Sequence, residues 1–225
     1  MDESRKTSLI RGQRFADTYL RGRVIDIGAG SDLVCTWAER FDIEDGDANR
    51  IVAYRQKCSY DAVHSSHCLE HMHNPENALL EWWSLLKPGG FLVVVVPDED
   101  LYEQGIWPSI FAADHKATFR LDKPVSWSPV SFDIRSLVSK LPNCEIISAE
   151  IQDRGYRHSL KSGFGDKHRN IRGLGRIYST LRKIPVLGIP LQRLTQRLAF
   201  VYGVPVDQTL GDAVAQIQVV ARKRL

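Results

Sequence analysis

The apolar residues of this 225-residue chain fall into two rhythms. Short, nearly unbroken runs stand at Val24-Ile25-Asp26-Ile27, at Tyr60-Asp61-Ala62-Val63-His64-Ser65-Ser66 and over residues 91–96. Runs of that length, bounded by turn residues and rich in β-branched side chains, predict strands buried on both faces. Between them the apolar spacing becomes helical. Residues 9–20 form one such stretch. In the next, Asn74-Pro75 opens a helix that sets Ala78, Leu79, Trp82, Leu85 and Leu86 on one face, with Pro75 suited to its first turn. A helix over 31–40 capped by Ser31 or Asp32, a clipped strand at Phe41-Asp42-Ile43, a helix over 50–56, a helix over 130–141 opened by Ser131, a strand over 144–151 and a final alternating strand over 213–221 complete the pattern. Strands alternating with helices predict an α/β sheet.

The first strand stops at Gly28-Ala29-Gly30. A strand turning through glycines into the next element is where such sheets bind ligands. Glycine suits both positions because positive φ costs it little and because no side chain holds the backbone away from a ligand. A dinucleotide fingerprint would need a third glycine where Leu33 stands, and no Gly-Lys-Ser/Thr follows, so NAD, FAD and a Walker phosphate loop are disfavoured. Asp26 and Asp32 flank the turn instead. Carboxylates there suit a ligand that carries positive charge.

Asp26-Ile27-Gly28-Ala29-Gly30 resembles motif I of the class I S-adenosylmethionine-dependent methyltransferases, whose cofactor carries a sulfonium and an ammonium. Gly46-Asp47-Ala48, Leu69-Glu70-His71 and Lys87-Pro88-Gly89-Gly90 follow in that family's order, so the resemblance spans residues 23 to 97. It implies a Rossmann-like doubly wound sheet, mostly parallel with an antiparallel C-terminal hairpin strand and helices on both faces. It implies that S-adenosyl-L-methionine is bound by Asp26, Gly28, Ala29 and Gly30, that Asp42 (with Glu44 as rival) takes the ribose hydroxyls, and that Asp47 and Ala48 hold the adenine. Ser65, Ser66 and His67 would border the same crevice. Only four residues separate Asp42 from Asp47, fewer than the family's usual segment.

The stretch after residue 97 is where this family holds its acceptor. Asp98, Tyr102, Trp107, Asp114 and His115, with His71, would form that site, aromatic faces packing on a ring and carboxylates taking hydroxyls. Together with His64-Ser65-Ser66-His67-Cys68-Leu69-Glu70-His71, this stretch resembles a bacterial subgroup linked to polysaccharide and surface-glycan biosynthesis. The expected reaction is O-methylation of a sugar or glycan precursor, His115 serving as general base with His67 as second candidate. N-methylation of an amino sugar or small amine, and a non-catalytic scaffold that keeps the cofactor fold, are the alternatives. Nucleic acid is not an expected partner, since the Asn/Asp-Pro-Pro-Tyr/Phe loop of many base-directed enzymes is missing. Four of the seven histidines fall within residues 64–73, and His67, Glu70 and His71 stand at i, i+3, i+4 spacing. A divalent metal on these residues with His115, or on Asp98, Glu99, Asp100 and Asp114, is the alternative to ordinary solvated side chains and is not predicted.

Charge changes the picture in one place. From residue 152 to 203, eleven Lys and Arg face two Asp and no Glu, a net +9, so the rest of the chain carries −6 of the overall +3. Residues 152–212 are therefore expected to be a basic helical insertion in a methyltransferase domain formed by 1–151 and 213–225. Two amphipathic basic helices within it suit a lid, a dimer contact or peripheral membrane docking through residues 172–201. The oligomeric state stays open. With 43% apolar and 25% charged residues, no run near the ~20 apolar residues of a membrane span, and no apolar signal core, the expected location is the cytoplasm, with contact at the inner face of the membrane as an option. The four cysteines lack metal-knuckle spacing and read as reduced thiols.

Overall fold

The computed structural model describes residues 3–160 and 205–225. Its centre is a six-stranded sheet of β1 (Val24–Ile27), β2 (Glu39–Phe41), β3 (Tyr60–Ser66), β4 (Leu86–Pro97), β7 (Cys144–Gln152) and β8 (Gln216–Lys223), in the order β2-β1-β3-β4-β8-β7. β1 to β4 pair in parallel, and β8 runs antiparallel to both β4 and β7. This is the mostly parallel α/β sheet with an antiparallel C-terminal hairpin expected from the sequence. A small parallel pair, β5 (Thr118–Arg120) and β6 (Ser131–Asp133), lies outside it.

The period-2 alternation of strands explains how apolar runs serve two faces. Ile25, Ile27, Leu92, Val94, Val96, Ile217 and Val219 point into one core with Leu79 and Trp82 of α2 (Pro75–Ser84) and with Ile134, Leu137 and Val138 of α3 (Ile134–Ser139). Val24, Val93 and Val220 point the other way, against Phe15, Ala16, Tyr19 and Leu20 at the end of α1 (Glu3–Tyr19). Helices thus cover both faces.

Several local expectations give way. No helix forms over 31–40; that stretch is a series of turns. The buried carboxylate of Asp26 draws the Val34 N–H to Oδ2 at 2.7 Å, and Leu33, Val34 and Cys35 pack onto the α1 side, so the chain is held open where a helix would coil. β2 starts two residues earlier than expected, pairing Phe41 with Ile27. Residues 50–56 are not an α-helix either; a 3-10 turn, Ala48–Ala53, precedes them in part. α3 is capped by Asp133, because the Ser131 hydroxyl is bound to Glu99.

The basic helices expected over 172–201 lie outside the described residues, as do residues 161–204 of the insertion expected over 152–212. No helix among the described residues is long and apolar enough to cross a membrane.

Candidate active site

The glycine turn leaves β1 with positive φ at Gly28 (74°) and Gly30 (59°). The two glycines serve different ends. A Cβ at Gly28 would stand 2.6 Å from the Cys68 Cβ, so a neighbouring side chain is by itself enough to require this glycine. A Cβ at Gly30 would meet nothing within 4 Å. The turn is tied down by one carboxylate and one backbone carbonyl: Asp42 Oδ2 accepts from Gly30 N at 2.6 Å, and Gly28 N donates to Phe41 O. Asp42 also accepts from Ile43 N. Its rival Glu44 is exposed and ion-paired to Arg40.

Asp26, expected at the cofactor, is 1% exposed and faces inward. Its Oδ1 accepts from His64 Nδ1 at 2.6 Å, and His64 Nε2 meets Arg11 of α1 at 3.0 Å. Because Arg11 can only donate, His64 carries its proton on Nδ1 and accepts at Nε2. Asp47 caps the turn that follows it, with Oδ1 accepting from both Asn49 N and Nδ2. Those bonds hold its carboxyl below the usual carboxylate range. The Ala48 carbonyl accepts from Trp82 Nε1. Ser65 and Ser66 are buried at the end of β3, and the Ser66 hydroxyl meets no hydrogen-bond partner among the described residues. Open space over Gly30, and an unpartnered hydroxyl at the C-terminal end of the neighbouring strand β3, fit a polar cofactor at this end of the sheet.

Cys68 joins this turn to a second group of residues. After β3 the chain passes His67 at φ 52° into the short turn Leu69–His71. The strap carrying Asp114 and His115 is fastened to that turn: Lys116 N and Ala117 N donate to Glu70 O, and Lys116 Nζ to His71 O. His67 Nδ1 then lies 3.5 Å from Glu70 Oε1, while His71 Nε2 and His115 Nε2 each lie 4.0 Å from it. Glu70 is 1% exposed, yet among the described residues neither carboxylate oxygen has a hydrogen bond of sound geometry, His67 being its nearest donor. Burial pushes its pKa up, but contact with His67 and the fields of His115 and His71 outweigh this, and it stays below the ordinary value.

Each histidine is held from its far side. His115 Nδ1 donates to Glu103 Oε1 at 2.6 Å, His71 Nδ1 lies 3.2 Å from Asp114 Oδ2, and His67 Nε2 meets Gln216 Oε1 of β8 at 3.0 Å. The ring of Tyr102 stacks on His115 with centroids 5.4 Å apart. Burial opposes the charged imidazolium of His115, but the bond to Glu103 and the fields of Glu70, Glu103 and Asp114 raise its pKa overall.

Of the residues expected at the acceptor, His71, Tyr102, Asp114 and His115 therefore come together, and His67, expected at the cofactor crevice and as second candidate base, lies with them. Asp98 does not join them; buried, it caps the turn Glu99–Glu103, Oδ1 accepting from Asp100 N and Leu101 N. Trp107 is half-buried beyond that turn. Glu103 and Gln216 were not foreseen. Glu103 had no signal beyond an acid-rich loop, whereas Gln216 and Gln218 interrupt an otherwise apolar strand, as buried polar groups with a partner do.

A family model described as a methyltransferase domain matches residues 4–127. No curated protein matches the chain. Among solved structures, the chain is similar to a protein from Bacillus halodurans titled a methyltransferase, at 12% identity and TM-score 0.54, covering 97% of this chain and 100% of that one. It is also similar to the YcgJ protein of Bacillus subtilis, at 13% identity and TM-score 0.51, covering 98% and 99%. A SAM-dependent methyltransferase from Archaeoglobus fulgidus aligns at 16% identity and TM-score 0.50, over 98% and 94%. These likenesses bear on the fold; the family match covers more than half of the chain, which therefore belongs to the methyltransferase-domain family and is an S-adenosylmethionine-dependent methyltransferase.

Proposed function

We propose that the methyl group goes to a hydroxyl of a small polar acceptor, a sugar or glycan precursor, with His115 as general base. The observation that carries this reading is the His115–Glu103 contact: with its Nδ1 proton donated to Glu103, the ring presents a lone pair at Nε2 toward the space shared with His71 and Glu70. Bound S-adenosylmethionine supplies a methyl group made electrophilic by its sulfonium. The turn at Gly28–Gly30, Asp42, Asp47 and Ser66 would hold it.

Methyl transfer from a sulfonium is an in-line displacement, so alignment of the two reactants carries most of the rate. His115 takes the hydroxyl proton at Nε2, a step typically worth ~10²–10⁴-fold. His67, fixed to Gln216, and Tyr102, stacked on His115, orient the acceptor.

The test is to incubate the full chain and S-adenosylmethionine with separate pools of sugars, nucleotide-linked sugars, polyols and small amines. S-adenosylhomocysteine release is measured, and the product's methylated atom is located by NMR. An O-methyl product whose formation falls ~10²-fold or more in His115→Ala supports the reading. An N-methyl product from the amine pool alone overturns it, and absence of S-adenosylhomocysteine binding by calorimetry would mark a scaffold.

A further inference from the structure

The separation of the groups around Glu70 has no account in hydrogen bonding. At 4.0 Å, His71 Nε2 and His115 Nε2 are too far from Glu70 Oε1 to bond it. A water bonded to both members of such a pair would hold them roughly 4.5 Å apart. Among the described residues neither Glu70 oxygen has a hydrogen bond of sound geometry; His67 Nδ1, at 3.5 Å, is the nearest donor, so a carboxylate at 1% exposure rests on ion-pair contacts in place of its hydration.

One ligand atom each from Glu70, His71 and His115 lies within 4.8 Å of the others. We propose that these three residues bind a divalent cation of the zinc class. Imidazole nitrogens with one carboxylate suit zinc and its neighbours rather than magnesium or calcium. Bonds of about 2.0–2.1 Å hold tetrahedral donors about 3.4 Å apart, so the two 4.0 Å separations from Glu70 must each close by about 0.6 Å, through small movements of the Glu70 carboxylate and of the partly exposed His71.

The far sides of the rings argue the same way. His115 Nδ1 is on Glu103 and His71 Nδ1 faces Asp114, the carboxylate–histidine pairing that fixes tautomer and raises basicity in metal ligands. Each ring thus turns Nε2 inward. The sequence reading did not predict this metal; the convergence of Glu70, His71 and His115 points to it.

The site stands on its own geometry, but one consequence rests on the proposed role of His115. A single Nε2 lone pair accepts either a proton or a metal, so loading the cation switches off hydroxyl methylation.

The experiment is a cobalt titration of the chelator-treated full chain, read by the visible d–d bands of the ion. One equivalent binds, and Glu70→Gln and His71→Ala each weaken binding at least tenfold, with unchanged far-UV circular dichroism and S-adenosylhomocysteine affinity within twofold of the parent. His71 is partly exposed, so the second variant keeps the test informative should the first misfold. No stoichiometric binding, or equal binding in both folded variants, overturns the site. The function reading is tested separately, on metal-free enzyme: an inactive metal-free enzyme sinks that reading and leaves the cobalt result intact.

Discussion

His115 Nδ1 and Glu103 Oε1 meet at 2.6 Å with both side chains almost fully buried. The two residues stand twelve apart in the segment between β4 and β5, so the contact fixes which way the imidazole faces as well as where its proton sits. Replacing Glu103 by Gln leaves a group that can donate or accept, and the ring no longer has a preferred tautomer. Glu103→Gln is expected to lower kcat by ~10–10²-fold in metal-free enzyme, with KM for S-adenosylmethionine unchanged. Since Glu103 acts through His115, the double variant Glu103→Gln/His115→Ala should be no slower than His115→Ala alone. Additive losses in steady-state kinetics would show that Glu103 acts on its own.

Gly28 and Gly30 separate packing from ligand approach. An alanine at 28 meets Cys68 at 2.6 Å in a left-handed backbone, and overpacking plus the unfavourable φ should cost about 2–4 kcal/mol. An alanine at 30 meets nothing, so only the backbone penalty of about 1 kcal/mol applies. Its methyl group would instead fill the space assigned to the cofactor. Urea melts should show Gly28→Ala as the less stable variant, while calorimetry with S-adenosylhomocysteine shows Gly30→Ala weakened by tenfold or more. Wild-type affinity in Gly30→Ala would move the cofactor away from this turn.

How much of this could be read in advance depended on the range of the interactions. β3 was placed to the residue because seven consecutive side chains, from Tyr60 to Ser66, carry their own pattern. The helix over 31–40 failed because its cap and apolar residues were sound locally, while a carboxylate eight residues upstream took the Val34 N–H. His67, His71 and Glu70 could be grouped by spacing, and His115 was singled out from composition. Nothing local tied His115 to Glu103 or His67 to Gln216, which lies 149 residues away. Asp26 and Asp98 had the right chemistry for ligands, but burial commits them to the protein's own N–H groups.

The buried chain Arg11–His64–Asp26 ties α1 to the glycine turn. Removing the Asp26 carboxylate strands the Val34 N–H and the His64 Nδ1–H together. Asp26→Ala is therefore expected to destabilise by about 3–5 kcal/mol, the usual cost of breaking a buried charged network on one side. Asp26→Asn keeps an oxygen for one donor and should cost less than half as much. Equal losses in denaturant melts would mean that the cavity, and not the network, sets the cost.

Two buried groups pull the acid side of the stability curve in opposite directions. Burial, reinforced by Arg11 and opposed by Asp26, holds His64 below its ordinary 6.5. The unfolded chain then binds the extra proton, so the stability His64 contributes is present above pH 6.5 and lost as pH falls below it. Burial also pushes Asp98 up to about 6, against the N–H groups of Leu101 and Asp100 and with the charges of Asp100 and Glu99. Here the folded chain binds the extra proton, so its stabilisation is complete below the ordinary 3.8 and is lost as pH rises through about 6. Asp98→Asn retains the capping oxygen and removes this second response. Its stability at pH 7–8 should rise by up to about 3 kcal/mol, and its urea midpoint should fall more steeply than the parent's between pH 6.5 and 4, where His64 is no longer offset. Parallel midpoint-against-pH curves for the two proteins would show that Asp98 is not protonated in the folded state.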